Sequence, residues 1–362
     1  MDITITREAL LAGMAPLAPM IGRNAGLRLE VTGDRLEITA GDEQTELRTQ
    51  TLCQSARDGS VLFRNRSFLE FVRQLDDGKT IRVQDSGDQF IRATGEGINY
   101  KFAQLPNDDF KTYKQEGSVE VLVDVTLSAE QFQQYVRKVS YAAAKNDARH
   151  LLNGVLFHFV GDTLVLVATN GHALALHELE HGGKAPDEAK FVVPNGHLQE
   201  IIKLATARED GQTRLRFTES AVRADAPDGA YKTHLLGRDF VDYAAVVPSH
   251  KDTVEVSTAE LLEAVSRAKL MCAKDTDGIR INVNRGGVLV MSGKDGEECR
   301  EEVGASSVIE EVKIGFNPAY VVNALKSVTT ETAVIAMGGS MQAVLIRDTT
   351  SPLRQVIMPV RV

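Results

Sequence analysis

Apolar and polar positions along the chain fall into three successive stretches that open alike. Each begins with a short β-branched run and continues with apolar residues at helical spacing. The stretches are ITITREALLAGMAPL from Ile3, VDVTLSAEQFQQYVRKVSYAAA from Val123 and VEVSTAELLEAVSRAKLM from Val254. Each predicts a strand followed by a capped amphipathic helix. Ser128 and either Ser257 or Thr258 are the expected N-caps, with Glu130 and Glu260 in the first turn, where a carboxylate meets the positive end of the helix dipole. A second helix, entered from an apolar strand through a break at Asn, Pro or Gly, is predicted in VLFRNRSFLEFVRQL from Val61, FVVPNGHLQEIIKLA from Phe191 and VKIGFNPAYVVNALKSV from Val312. In the middle copy its apolar positions are Leu198, Ile201, Ile202 and Ala205. Alternating hairpin strands then follow in TIRVQDSGDQFIRAT, TRLRFTESAVRAD and TAVIAMGGSMQAVLIRD. The copies close with LPNDDFKTY, LLGRDFVDYAAVVP and SPLRQVIMPV.

The period is one third of the 362 residues. That is far longer than the roughly 20–45 residues of a solenoid unit. Each copy therefore reads as a complete α+β domain, two helices packed on antiparallel sheet. Polar, turn-rich segments near 117–121 and 249–252 place the domains at 1–119, 120–249 and 250–362. The element order lacks the βαβ alternation of a Rossmann or TIM-barrel enzyme.

Composition narrows the class. Charged residues at 25% and apolar residues at 43% are ordinary for a globular chain, which excludes disordered, collagen-like and disulfide-scaffold classes. No apolar run approaches the roughly 20 residues that span a bilayer. The opening MDITITREAL lacks the basic-then-apolar order of a secretion signal. Cys53, Cys272 and Cys299 are too few and scattered for a disulfide framework, so a reducing cytoplasm is expected.

Catalytic motifs fail on context. His177-Glu178-Leu179-Glu180-His181 matches H-E-x-x-H, which grips zinc only when a helix brings both histidines to one face. A zinc-dependent hydrolase using His177 and His181 is the alternative reading. The preceding TLVLVATNGHALAL alternates like a strand, on which the two histidines sit roughly 13 Å apart at ~3.3 Å per residue. The cysteines have no C-x-x-C spacing, and neither a phosphate-cradling loop nor a nucleophile elbow is present. No acid–nucleophile pair accompanies His172, so the sequence holds no catalytic site, and no metal or cofactor is expected.

The net charge of −9 argues, taken whole, against a nucleic-acid partner. Its distribution argues otherwise. The six predicted helices (7–18, 65–75, 128–145, 195–207, 258–274 and 318–328) carry eleven basic and six acidic residues. A basic helical surface on an acidic body is therefore available to phosphate.

The segment NDARHLLNGVLFHFVGDTLVLVATNGHALAL, 146–176, resembles the bacterial DNA polymerase III β sliding-clamp family, with its R-x-x-L-N-G-V-x-F run and its following L-V-A-T-D-G-H-R-L-A. LPNDDF, FVVPNGHLQEIIKL, IGFNPAYVVNAL, EECREEV and the terminal VIMPVRV extend the resemblance over nearly the whole chain. The resemblance implies three repeated clamp domains in a head-to-tail dimeric ring, with helices lining the hole. The implied function is a non-enzymatic processivity factor of the cytoplasm. It would encircle duplex DNA without reading sequence and tether the DNA polymerase III catalytic subunit, the clamp loader and other proteins bearing a clamp-binding motif.

Residue by residue, the resemblance implies a peptide-binding groove at Leu152, Thr169, Gly171, His172, Leu174, Val241, Val246, Tyr320, Met341, Val356, Met358, Pro359 and Val360. It implies DNA contact at Arg23, Arg73, Lys145 and Asn146, and a dimer interface of Tyr100 and Phe102 against Leu270 and Met271. The chain departs from the family pattern at Ala173 and Ala245, where arginine is usual, and at Val241, where proline is usual. Apolar anchors are therefore expected to dominate peptide binding.

Overall fold

The computed structural model describes residues 1–18, 20, 26–87, 89–106, 120–206, 211–272, 278–294 and 297–361. In chain order, the first repeat runs β1 (Asp2–Thr6), α1 (Arg7–Met14), β2 (Gly26–Thr32), β3 (Arg35–Gly41), β4 (Thr45–Leu52), β5 (Gln54–Arg57), β6 (Gly59–Arg64), α2 (Asn65–Gln74), β7 (Thr80–Asp85), β8 (Phe90–Gly95) and β9 (Ile98–Ala103). The second runs β10 (Val123–Ser128), α3 (Ala129–Ser140), β11 (Gly154–Val160), β12 (Thr163–Thr169), β13 (Ala173–Glu180), β14 (Glu188–Pro194), α4 (Asn195–Ala205), β15 (Gln212–Phe217), β16 (Ala221–Ala226) and β17 (Gly229–His234). The third runs β18 (Thr253–Ser257), α5 (Thr258–Lys269), β19 (Ile279–Asn284), β20 (Gly287–Lys294), β21 (Glu297–Val303), β22 (Ala305–Ser307), β23 (Glu311–Phe316), α6 (Pro318–Ser327), β24 (Thr332–Ala336), β25 (Val344–Asp348) and β26 (Arg354–Ile357).

The helices start where the caps require. Thr6, Ser128, Ser257 and Asn317 each accept a backbone N–H of the first turn, from Ala9, Gln131, Glu260 and Ala319. Each cap is worth about 1 kcal/mol. Three helices stop four or more residues earlier than expected, α1 ending at Met14 and passing into a 3-10 turn over Ala15–Leu17. α3 stops at Ser140, so Lys145 lies on the loop beyond it, and α5 stops at Lys269, before Leu270 and Met271. The closing segment of the first repeat, 107–113, lies outside the described residues.

Two compact units emerge, and both cut the middle repeat. One comprises Met1–Phe132 with His197–Leu235, the other Gln133–Gly196 with Leu236–Val362. Sheet pairing explains the division. In the first unit β17 pairs antiparallel with β4, Gly229 opposite Thr49 through Thr233 opposite Thr45. This makes one eight-stranded sheet, β10-β15-β16-β17-β4-β3-β2-β6, beside a five-stranded sheet, β5-β1-β7-β8-β9. In the second unit β13 pairs with β26, Ala173 opposite Ile357 through Leu176 opposite Arg354. The result is a nine-stranded sheet, β14-β11-β12-β13-β26-β25-β24-β18-β22, beside the four-stranded β21-β20-β19-β23. Among the described residues, no helix is long and apolar enough to cross a membrane.

Strands β11–β13 are apolar almost without interruption because both their faces are covered. Leu156, Val165, Val167, Leu174 and Leu176 form one face, packed under Leu236, Phe240, Tyr243 and Val247 of the segment that follows β17. The opposite face meets α3, where the His177 ring lies 4.7 Å from that of Tyr135. By contrast β15 alternates exposed and buried positions, as a strand with one wet face should.

Candidate functional site

The second unit holds a cavity of 170 Å³ lined by Arg149, Leu152, Thr169, Gly171, His172, Ala173, Leu174, Val241, Val246, Val356 and Met358. Nine of the thirteen groove residues expected from sequence line it. Leu152, Leu174 and Val356 form its buried floor, while Val241, Val246 and Met358 stand half-exposed at its rim. Such a surface gains from being covered by apolar anchors.

Local sequence builds this shape. Gly154 must be glycine because a Cβ there would lie 2.7 Å from the Val193 carbonyl oxygen. The Asn153 side chain accepts from the Asp147 N–H at 2.9 Å and donates to the Asp147 carbonyl at 2.9 Å, bracing the loop that carries Leu152. The β12–β13 turn is an Asn-Gly turn with Gly171 at φ +86°, a conformation that favours glycine. Asn170 Oδ1 accepts from the backbone of His172 and Ala173, at 2.8 and 2.9 Å, and so presents the His172 ring outward.

Arg149 and Ala173 line the cavity without having been expected there. Arg149 opens the R-x-x-L-N-G-V-x-F run, so the family pattern carries a signal for it. Its guanidinium is clamped by Asp147 through bonds of 3.0 and 2.8 Å, and this holds the Asp147 carboxyl down to about 2.

Four expected groove residues do not line the cavity. Tyr320 stacks on His172 with ring centroids 6.3 Å apart and planes 13° apart, extending the surface past the rim. Met341 is exposed. Pro359 and Val360 belong to the tail beyond β26, which Met358 N–H anchors to the His172 carbonyl at 2.8 Å and Val360 N–H to the Gly315 carbonyl at 2.9 Å.

The charged positions sort differently. Arg73 is exposed on α2 and paired with Glu70 at 3.0 Å. Lys145 is exposed, and Asn146 beside it adopts φ +58°. Arg23 lies outside the described residues. The helical charge surplus read from sequence needs correction. Lys138 is buried, 4.0 Å from the Asp348 carboxylate, and burial lowers its pKa below the ordinary lysine value. Arg267 is held by Glu301 at 2.7 Å and Glu263 at 3.3 Å. Neither is a free cation for phosphate.

At the edge of the first unit, Tyr100 is 54% exposed on β9. Its ring lies 4.6 Å from Phe71 of α2, and Phe102 packs edge-on against Phe68 at 5.3 Å. In the second unit Leu270 is 80% exposed beyond α5, with Met271 half-buried beside it.

The H-E-x-x-H residues lie on β13 and the residue after it, not on a helix. His177 is buried against Tyr135, and burial, aided by Lys138, pushes its pKa down to about 4. His181 Nε2 bonds the Gly161 carbonyl at 2.9 Å. No metal-ligand cluster occurs among the described residues.

Three family models match, and together they cover nearly all of the chain. They are "DNA polymerase III beta subunit, N-terminal domain" over 1–114, "central domain" over 126–242 and "C-terminal domain" over 245–361. The beta sliding clamp of Vibrio cholerae is 28% identical over 371 residues, and that of Escherichia coli K12 is 27% identical over 374, with all of each chain covered. A crystal structure of the DNA polymerase sliding clamp from Pseudomonas aeruginosa with ligand superposes at a TM-score of 0.93, with 25% identity and full coverage of both chains.

Proposed function

The chain belongs to the DNA polymerase III beta subunit family, and from that premise we propose how it works. The family is the beta sliding clamp, a non-catalytic processivity factor, so the protein has a clamp role in DNA replication and no reaction to perform. We propose that two copies close head to tail around duplex DNA, and that partners dock in the cavity above.

The order of strands supports ring closure. At the β13–β26 seam a four-strand block, β14-β11-β12-β13, meets a five-strand block, β26-β25-β24-β18-β22. The same four-strand block recurs as β23-β19-β20-β21, and the same five-strand block as β9-β8-β7-β1-β5. Within one chain these two blocks end on β21 and β9. Joining β21 of one copy to β9 of another rebuilds the nine-strand sheet. A head-to-tail contact of this kind closes when rotation returns to the start. It also covers Tyr100, Phe102, Leu270 and Met271, apolar groups that an open sheet edge would expose to aggregation.

Encirclement makes strong DNA binding unnecessary. Arg73, Lys145, Asn146 and Arg23 are proposed to touch phosphates, which positions the duplex without reading its sequence. The groove is proposed to take extended segments of the polymerase catalytic subunit, the clamp loader and other clamp-binding proteins, by a few apolar anchors in a concave site. A clamp role in replication supports a cytoplasmic location, which is part of this proposal. We take the domain boundaries as 119/120 and 249/250, which lie in or near the gaps between the family matches.

Sedimentation of the whole chain, paired with retention on DNA, tests the ring. The expected mass is twice the 39.5 kDa of one chain. Protein loaded on closed circular DNA should be retained and should escape when the circle is cut. A monomer at micromolar concentration, or equal retention after cutting, would overturn the proposal.

A further inference from the structure

We infer that Tyr243, acting through His158, fixes the groove wall formed by Val241 and Val246. This inference rests on the groove reading above and adds positioning residues to it.

No strand ladder holds the wall, which leans on side-chain packing of Leu236, Phe240, Tyr243 and Val247 and on side-chain bonds. Val241 and Val246 belong to the segment after β17, whose backbone pairs with the sheet at the Val192–Gly237 bridge and otherwise makes one short helical turn, Ala244–Val246. Both valines are nearly half-exposed, so burial does not anchor them. The anchor lies between them. The Tyr243 ring packs on the apolar face of β11–β13 together with Phe240 and Val247. Its Oη lies 2.7 Å from His158 Nδ1, with the two rings edge to face at 79°.

His158 is a buried histidine on β11, and its second nitrogen has a partner. Nε2 lies 3.3 Å from Glu188 Oε1 on β14, and Lys190 Nζ holds the same oxygen at 2.9 Å. A proton on Nε2 is donated to Glu188, which leaves Nδ1 as a lone pair for the Tyr243 hydroxyl. Burial, aided by Lys190, lowers the His158 pKa below the usual histidine value, consistent with the neutral ring this arrangement needs. The relay Glu188–His158–Tyr243 therefore has one polarity. It ties a segment without a strand ladder to β11, the strand next to the sheet's β14 edge. A wall held in place before the ligand arrives spares the ligand the cost of ordering it.

Tyr243→Phe and His158→Leu each remove the bond, the first while keeping the ring. The probe is a fluorescein-labelled peptide carrying the clamp-binding segment of the polymerase III catalytic subunit. Each variant should bind it about 3–10-fold more weakly, the range set by one net hydrogen bond. The double variant should be no weaker than the worse single one, because both delete the same bond. His158→Gln, which restores an acceptor, should recover most of the loss. Hydrogen exchange of the amides 240–247 is read without peptide and should speed up in both single variants, while dimer mass stays unchanged and the melting temperature falls by no more than a few degrees. Unchanged exchange and affinity in both single variants, or losses that add in the double variant, would overturn the inference. If the unaltered protein binds no peptide, the groove reading falls. Exchange then decides the tie alone: faster exchange upholds it and unchanged exchange removes it.

Discussion

Leu270→Ala is expected to dissolve the ring at concentrations where the unaltered protein is dimeric. Leu270 is 80% exposed in the single chain, so nearly all its burial must come from the contact between copies. Fully burying a leucine side chain is worth about 1.5–3 kcal/mol, and truncation to alanine removes most of that. A closed ring of two has two equivalent contacts, and dissociation to monomers breaks both. The loss is therefore roughly 3–5 kcal/mol per dimer, or about 10²–10⁴-fold in dimer Kd at 1.4 kcal/mol per decade. Sedimentation velocity over a dilution series, from tens of micromolar to nanomolar, reads this directly. The monomer itself should be unharmed, since substitutions at exposed sites usually change stability by less than about 0.5 kcal/mol. A dimer Kd within about 3-fold of the unaltered value, with an unchanged melting curve, would show that Leu270 is not in the contact. The reasoning from strand order would then lose its side-chain support.

Deleting residues from Met358 onward should abolish peptide binding and leave the dimer mass intact, because Met358 stands at the groove rim and the deleted residues lie in neither proposed contact strand. Arg73→Ala should weaken DNA binding in a titration and lower the slope of log K against log salt by about 0.9 for each phosphate no longer neutralised, with no change in ring mass. His177 makes stability depend on pH. Its pKa is about 4 in the folded chain and 6.5 ordinarily, so between those values the unfolded chain binds more protons. Its contribution is complete above about pH 6.5 and is lost as pH falls toward 4, at most about 3 kcal/mol. Chemical denaturation across this window should show a shallower pH slope in His177→Phe, and an unchanged slope would assign the effect elsewhere.

The repeats and helix starts were legible because their signals are local. Ser128 and Ser257 cap helices from within a few residues, the latter rather than Thr258, and the apolar spacing of Leu198, Ile201 and Ile202 needs no tertiary context. The cavity lining was legible only through family resemblance, since Leu152, Leu174, Val246 and Met358 are brought together by pairings far apart in sequence. What charge counting could not reveal was partnership. Lys138 looks like any helical lysine until Asp348 is found 4.0 Å away, 210 positions along the chain. Likewise His158 and Tyr243 carry no motif. Their bond depends on a segment folding back across a sheet, which neither periodicity nor composition encodes.

The sheet seams have unequal standing under mass action. The β17–β4 and β13–β26 seams join strands of one chain, so the covalent connection keeps their partners at an effective concentration of the order of millimolar or more. The proposed β21–β9 seam has the same architecture but joins separate molecules, and its partner is present only at the concentration of free protein. Equal pairing strength therefore gives unequal persistence. A ring built this way has its breakable joints where one molecule meets another, without weaker residues there. Fusing two copies end to end would tether one of these joints and leave the other as the single gate through which DNA can pass.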